Sequence, residues 1–232
     1  MDYSRTMSRR ILSLFALLTL LSSSCAHTPT AEERAKARGH HEVGLSLVHE
    51  AQRAASAGDT TLQDLKWRQA LSELLSGVKA DPENAELQYL LGMTYFFGFR
   101  RHAEAETHLK RSLEIKNNEF PEADNLLGTM LVETGRAEDA IPHLERARAN
   151  LLYATPYFAE QNLGLAKMKL ERYDEAVVHL RNALAAQPDL CGAYLDKYFP
   201  GGVKEVAPFV FMVVFLLFKP HGLWGWERIE RV

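Results

Sequence analysis

Apolar positions in this chain follow three patterns. From Ala85 onward they recur with helical spacing, and the block they form is itself repeated. The first block is "AELQYLLGMTYFFGFRRHAEAETHLKRSLE", from Ala85. The second is "PEADNLLGTMLVETGRAEDAIPHLERARAN", from Pro121. The third is "YFAEQNLGLAKMKLERYDEAVVHLRNALAAQP", from Tyr157. Leu-Gly pairs fall at 91/92, 127/128 and 163/164, a spacing of 36 each time. Ala105, Ala140 and Ala176 recur in the second half of each block, with Leu109, Leu144 and Leu180 four residues later. Each block predicts two helices joined by a turn. Small residues let the pair approach closely, and the leucines fill the layer between one pair and the next. A single pair cannot bury its apolar stripe alone, so neighbours stack.

These blocks resemble the tetratricopeptide repeat, a helix-turn-helix unit of about 34 residues. An earlier unit shows through its second half, "WRQALSELLSGVKADPENAE", which places Ala70, Leu74 and Pro82 at the usual intervals. Its first helix is expected in "HEVGLSLVHEAQRAASAG", separated by an unusual insertion, "DTTLQDLK". The resemblance implies an all-α, right-handed superhelical array whose first helices line a concave groove for a partner segment. Repeat positions place Tyr89, Met93, Phe96 and Phe97 in that groove from one unit. Asn125, Thr129 and Val132 come from the next, and Phe158, Gln161, Leu165 and Met168 from the third. Some of these, Phe96 above all, have an alternative place in the packing against the next hairpin. The groove is aromatic and Met-rich at both ends, which suits an apolar helix or strand. It lacks the set of Lys and Arg expected for gripping a free C-terminal carboxylate.

The second pattern is an apolar run near the start. Arg9 and Arg10 precede "ILSLFALLTLL", then "SSSC". A basic lead, a short apolar stretch and small residues make a targeting segment. A plain secretory signal is one reading. Small residues before a lone Cys resemble the lipobox of bacterial lipoproteins, which implies lipidation of Cys25. Ser22 stands where a Leu is usual. Ala26 follows the Cys, not the Asp that retains many lipoproteins in the inner membrane. The third pattern runs from Val206 to Phe218, thirteen residues without a polar side chain. That is short of the roughly 20 needed to span a bilayer. The tail "PFVFMVVFLLFKPHGLWGWERIERV" resembles the C-terminus of branched-chain amino-acid transporter permeases. It reads as foreign to the array, or else as an apolar capping helix.

Composition adds exclusions. Net charge is −3 over 232 residues, which gives no electrostatic case for nucleic acid. Two cysteines, Cys25 and Cys191, exclude a disulfide framework. Cys191 reads as a semi-buried structural thiol. No Gly-rich phosphate loop or His-Glu-x-x-His pattern occurs, and "VGLSLV" around Ser46 lacks the second Gly of a nucleophile elbow. His108, His143 and His179 each precede a repeat Leu. They predict a ladder of equivalent side chains rather than a metal site, since packed helices sit about 8–10 Å apart and zinc needs each nitrogen within about 2.1 Å. His40 and His41 read as a solvated pair. Glu133, Glu138 and Asp139 read as solvated faces. Neither cofactor nor catalytic residue is expected.

A lipoprotein signal followed by this array resembles the type IV pilus biogenesis and stability proteins, the pilotins of the pilus secretin. The likeness rests on "ALSELLSGVKADPENAELQYLLGMTYFFGFRRHAEAETHLKRSLEI" and "NLLYATPYFAEQNLGLAKMKLERYDEAVVHLRNAL". It implies a non-enzymatic protein, lipid-anchored to the periplasmic face of the outer membrane. There it would bind a secretin subunit and promote its localisation and multimerisation, without a small-molecule substrate. Another periplasmic repeat lipoprotein, an adaptor for cell-wall or outer-membrane assembly, stays open. A transport role rests on the tail alone. The expected organisation is a signal over 1–24, lipidated Cys and tether over 25–40, and an atypical first repeat over 41–84. The array then covers 85–196, with repeats at 85–120, 121–156 and 157–190, and the tail 197–232.

Overall fold

A computed structural model describes residues 28–188, and its described residues form eight α-helices with no strand. The signal segment, Cys25, Cys191 and the tail lie outside these residues. Two compact units divide between Thr94 and Tyr95.

The first unit holds α1 (Ala31–Ser56), α2 (Thr60–Ala80) and α3 (Ala85–Met93). Residues 31–40, expected as tether, are the first turns of α1. The reason is local. The Thr30 hydroxyl accepts from the Glu33 N–H at 3.2 Å, and the Glu33 carboxylate accepts from the Thr30 N–H at 2.8 Å. This capping box satisfies two donors that would otherwise be orphaned. Ala37 is buried, and His40 is no solvated side chain: its Nδ1 lies 2.8 Å from Glu73 Oε2 of α2. The "DTTLQDLK" insertion is likewise helix, capped by Asp59, whose carboxylate accepts from the Leu62 N–H at 2.9 Å.

Packing between α1 and α2 explains why this repeat looked atypical. A Cβ on Gly44 would meet Leu74 Cδ2 at 2.5 Å. The same pairing occurs in the last two hairpins, where a Cβ on Gly128 would meet Leu144 at 2.5 Å and one on Gly164 would meet Leu180 at 2.6 Å. Val43-Gly44 is therefore the Leu-Gly pair of the first repeat. Gly and Leu are 30 residues apart here and 16 apart in the last two hairpins. The 14 added residues divide as seven on each arm, close to two turns each at about 3.6 residues per turn. Faces stay in phase, but the sequence spacing is lost.

The second unit begins within a π-helical turn, Thr94–Gly98, and continues through α4 (His102–Ile115), α5 (Pro121–Glu133), α6 (Ala137–Ala149), α7 (Pro156–Lys169) and α8 (Tyr173–Ala186). Leu91 precedes Ala105 by 14 residues, whereas Leu127 precedes Ala140 by 13 and Leu163 precedes Ala176 by 13. The wide turn absorbs that one extra residue. Arg101, Arg136 and Arg172 stand at the start of the three outer helices. Arg136 reaches back to Glu106 at 2.9 Å and Arg172 to Glu138 at 3.4 Å. Asp139 pairs with Arg136 at 2.9 Å and Glu133 with Arg100 at 3.4 Å, so the carboxylates expected to be merely solvated are ion-paired.

Candidate functional site: the inner-helix faces

In the second unit α5 and α7 lie side by side. The Asn162 amide of α7 donates to Asn125 Oδ1 at 3.0 Å and to Thr129 Oγ1 at 2.8 Å, both on α5. Thr129 Oγ1 donates to the Asn125 carbonyl at 2.8 Å. This half-buried ladder spends both Asn162 amide protons. The Asn125 amide protons and Asn162 Oδ1 keep no partner among the described residues. A donor pair and an acceptor on one face complement the carbonyl and N–H of an extended segment.

Phe158, Gln161, Leu165 and Met168 follow one another at three- and four-residue steps on α7, which puts them on one face. Phe158 is 42% exposed and Met168 46%, while Gln161 and Leu165 are half-buried. Phe158 is steadied by Tyr157, ring centroids 4.6 Å apart. Exposed apolar side chains beside a polar ladder give this face both burial to offer and a means of orienting a guest.

Phe96 and Val132 do not belong to such a surface. Phe96 is fully buried, packed on Phe97 at 4.7 Å and on His102 at 5.7 Å between ring centroids. Phe96 turns inward and Phe97, 42% exposed, turns out, the same alternation as buried Val132 and exposed Glu133 at the equivalent positions 36 residues on. Val132 is 7% exposed at the end of α5 and forms part of the core. Both side chains gain by burial within the fold what a partner would have supplied. Asn162, the residue tying the two helices together, is a site residue that repeat spacing alone did not bring forward. Its signal was an Asn in "QNLGLA" where the equivalent positions hold Leu90 and Leu126.

In the first unit Tyr89 and Met93 are half-buried and one turn apart on α3. The Gln52 amide of α1 reaches Met93 Sδ at 3.9 Å.

The repeat-equivalent histidines engage their own hairpins instead of each other. His143 Nδ1 lies 2.8 Å from Asp124 Oδ1, and His179 Nδ1 lies 2.7 Å from Glu160 Oε2. Each bridges outer to inner helix across 19 residues of sequence. Arg146 adds a second hold on Asp124 at 2.6 Å, and Asp124 is buried. His108, whose hairpin has the extra residue, stacks on Tyr95 with centroids 5.5 Å apart. Burial lowers its pKa from the ordinary value, against a weaker opposing pull from Glu104. Among the described residues no group of three His, Cys, Asp or Glu side chains is placed to hold a metal ion.

One loop stands apart. Between α6 and α7, Leu151 and Leu152 are 100% and 89% exposed. The loop is ordered around them: Asn150 Oδ1 accepts from the Leu152 N–H at 2.9 Å, and Tyr153 is buried against Ala147 and Ala159.

Tetratricopeptide-repeat models match residues 56–120 and residues 161–190. PilW, described as a widely conserved type IV pilus biogenesis factor, has a crystal structure that superposes with a TM-score of 0.53 at 25% identity. The match covers 64% of this chain and 64% of that one. The chain thus spans just under two thirds of PilW's length. PilF of Pseudomonas aeruginosa gives a TM-score of 0.55 at 19% identity, over 68% of this chain and 67% of that one. No curated protein matches. The fold is therefore a tetratricopeptide-repeat array, an architecture of protein-interaction modules.

Proposed function

We propose that this chain is a type IV pilus biogenesis protein of the pilotin kind. It is anchored to the periplasmic face of the outer membrane by a lipid on Cys25. Its inner-helix faces bind a segment of the pilus secretin, and binding promotes delivery of the secretin to that membrane and its multimerisation. No bond is made or broken.

The likeness to PilW carries this reading. The chemistry of the α5–α7 face supports it. An open Asn125 amide and Asn162 carbonyl can hold the backbone of a guest segment, while Phe158, Leu165 and Met168 cover its apolar side chains. The flexible thioether of Met168 adapts to such a guest at low cost. Lipidation would supply anchoring by burying acyl chains at about 0.8 kcal/mol per methylene. A periplasmic adaptor for other envelope machinery would use the same face and differ only in the guest.

The test is made in a strain lacking the gene. Inner and outer membranes are separated and blotted for heat-resistant secretin multimers. Complementing forms are full length, Cys25→Ser and a double variant, Phe158→Ala with Met168→Ala. Multimers should vanish without the gene, return to the outer membrane with the full chain, and stay reduced with either altered form. Normal multimers in the deleted strain would sink the secretin assignment.

A further inference from the structure

The two added turns on each arm of the first hairpin give α1 a face that the other inner helices do not have. His49, Gln52, Arg53 and Ser56 are spaced i, i+3, i+4 and i+7, so they share one side of the helix. They line an open cavity of about 420 Å³. The buried side of the same segment is Val48, Ala51 and Ala54. Met93 of α3 adjoins the cleft through its contact with Gln52.

Among the described residues, the four lining side chains include no acid and several donors. Ser56 Oγ is occupied, donating to the Gln52 carbonyl at 3.1 Å. Glu50 is the nearest carboxylate along α1; Lys66 holds it at 2.6 Å, and Arg53 attracts it more weakly without forming an ion pair. Arg53 is exposed and makes no ion pair among the described residues. By contrast Arg100, Arg101, Arg136, Arg146 and Arg172 of the second unit each pair with a carboxylate.

We infer that this cleft receives an acidic side chain, Asp or Glu, of a protein segment bound at the first unit, with a neighbouring apolar residue seated on Met93. Arg53 offers paired N–H groups in the fork that matches a carboxylate, and His49 and Gln52 add single donors beside it. The inference rests on the reading of the chain as a binder of protein segments, and it gives that segment a charge at one defined place.

Random twelve-residue peptides displayed on phage provide a probe that does not presuppose the partner. They are selected against the detergent-solubilised full chain and against its Arg53→Gln and His49→Gln/Arg53→Gln variants, each checked for an unchanged helical melting curve. Peptides from the wild-type selection should be rich in Asp and Glu, and the variant selections should lose that bias. A selected acidic peptide should bind Arg53→Gln about tenfold more weakly, and its Asn or Gln counterpart should bind the wild type about tenfold more weakly. High salt should weaken only the acidic peptide on the wild type. Equal acid content in all selections, or unchanged affinity for Arg53→Gln, would overturn the inference while leaving segment binding in place. If no peptide is enriched on any form, both the inference and the segment-binding reading fall. The secretin assignment is decided separately by the membrane fractionation.

Discussion

At the scale of single residues, space decides the sign of a substitution. Gly39 and Gly128 both lie inside helices, where Ala is favoured over Gly by about 1 kcal/mol. Nothing lies within 4 Å of a Cβ built on Gly39, so Gly39→Ala should stabilise by roughly that amount. A Cβ on Gly128 would press into Leu144, which is fully buried and has nowhere to turn. Overpacking costs typically about 1–3 kcal/mol, so Gly128→Ala should destabilise despite its propensity. Urea midpoints of the two variants should move in opposite directions. His108 makes a pH prediction. Burial lowers its folded pKa below the ordinary 6.5, so the unfolded chain binds the proton more readily. Its contribution to stability is therefore fully present above pH 6.5 and is lost as pH falls toward the folded value. His108→Phe, which can keep the stack on Tyr95, should lose less stability than the wild type between pH 7.5 and 5.5 in chemical denaturation.

At the scale of elements, the hairpins are tied by polar clamps as well as by leucines. Asp124 is buried between His143 and Arg146, and removing it strands those donors. Asp124→Ala should cost about 1.5–3 kcal/mol, since the partners remain partly able to reach water. The α6–α7 loop should behave in the opposite way. Leu151 and Leu152 touch little, so Leu151→Ser with Leu152→Ser should leave the thermal midpoint almost unchanged, within the ±0.5 kcal/mol usual for surface changes. The elements differ in how far the chain announced them. Leu-Gly and Ala positions held at fixed spacing made the later hairpins legible, and Gly128 and Gly164 do the close packing that spacing implied. The first hairpin was obscured because two whole turns on each arm keep every face in place while breaking the count. Val43 in place of Leu hid the glycine pair further. The start of α1 was hidden by its polarity, since "AEERAKARGHH" shows few apolar positions and only the cap at Thr30 marks it. Repeat position alone did not separate a groove side chain from one packed into the next hairpin at Phe96 and its equivalent Val132, and Asn162 bonds to another hairpin, a relation no local pattern carries.

At the scale of the whole molecule, the ion pairs that join successive hairpins are exposed. Arg100–Glu133, Arg136–Glu106 and Arg172–Glu138 join successive hairpins of the second unit, and pairs of this kind contribute about 0–1 kcal/mol each. Stability should accordingly change little with added salt, whereas capture of an acidic segment at Arg53 should weaken. A thermal melt and a binding isotherm recorded over the same salt series would separate the two. The secretin experiment belongs to this scale too, because only the intact chain at its membrane can show delivery and assembly.

The extended first hairpin has a consequence for how such a chain can vary. Because its extra length comes as seven residues on each arm, a matched excision around the Ala57–Gly58 corner would shorten it without turning any core side chain to solvent. A ten-residue cut would not. Binding chemistry carried on that overhang can be acquired, exchanged or discarded by descent or by an engineer as a cassette, while the leucine and glycine framework beneath it is left as it was.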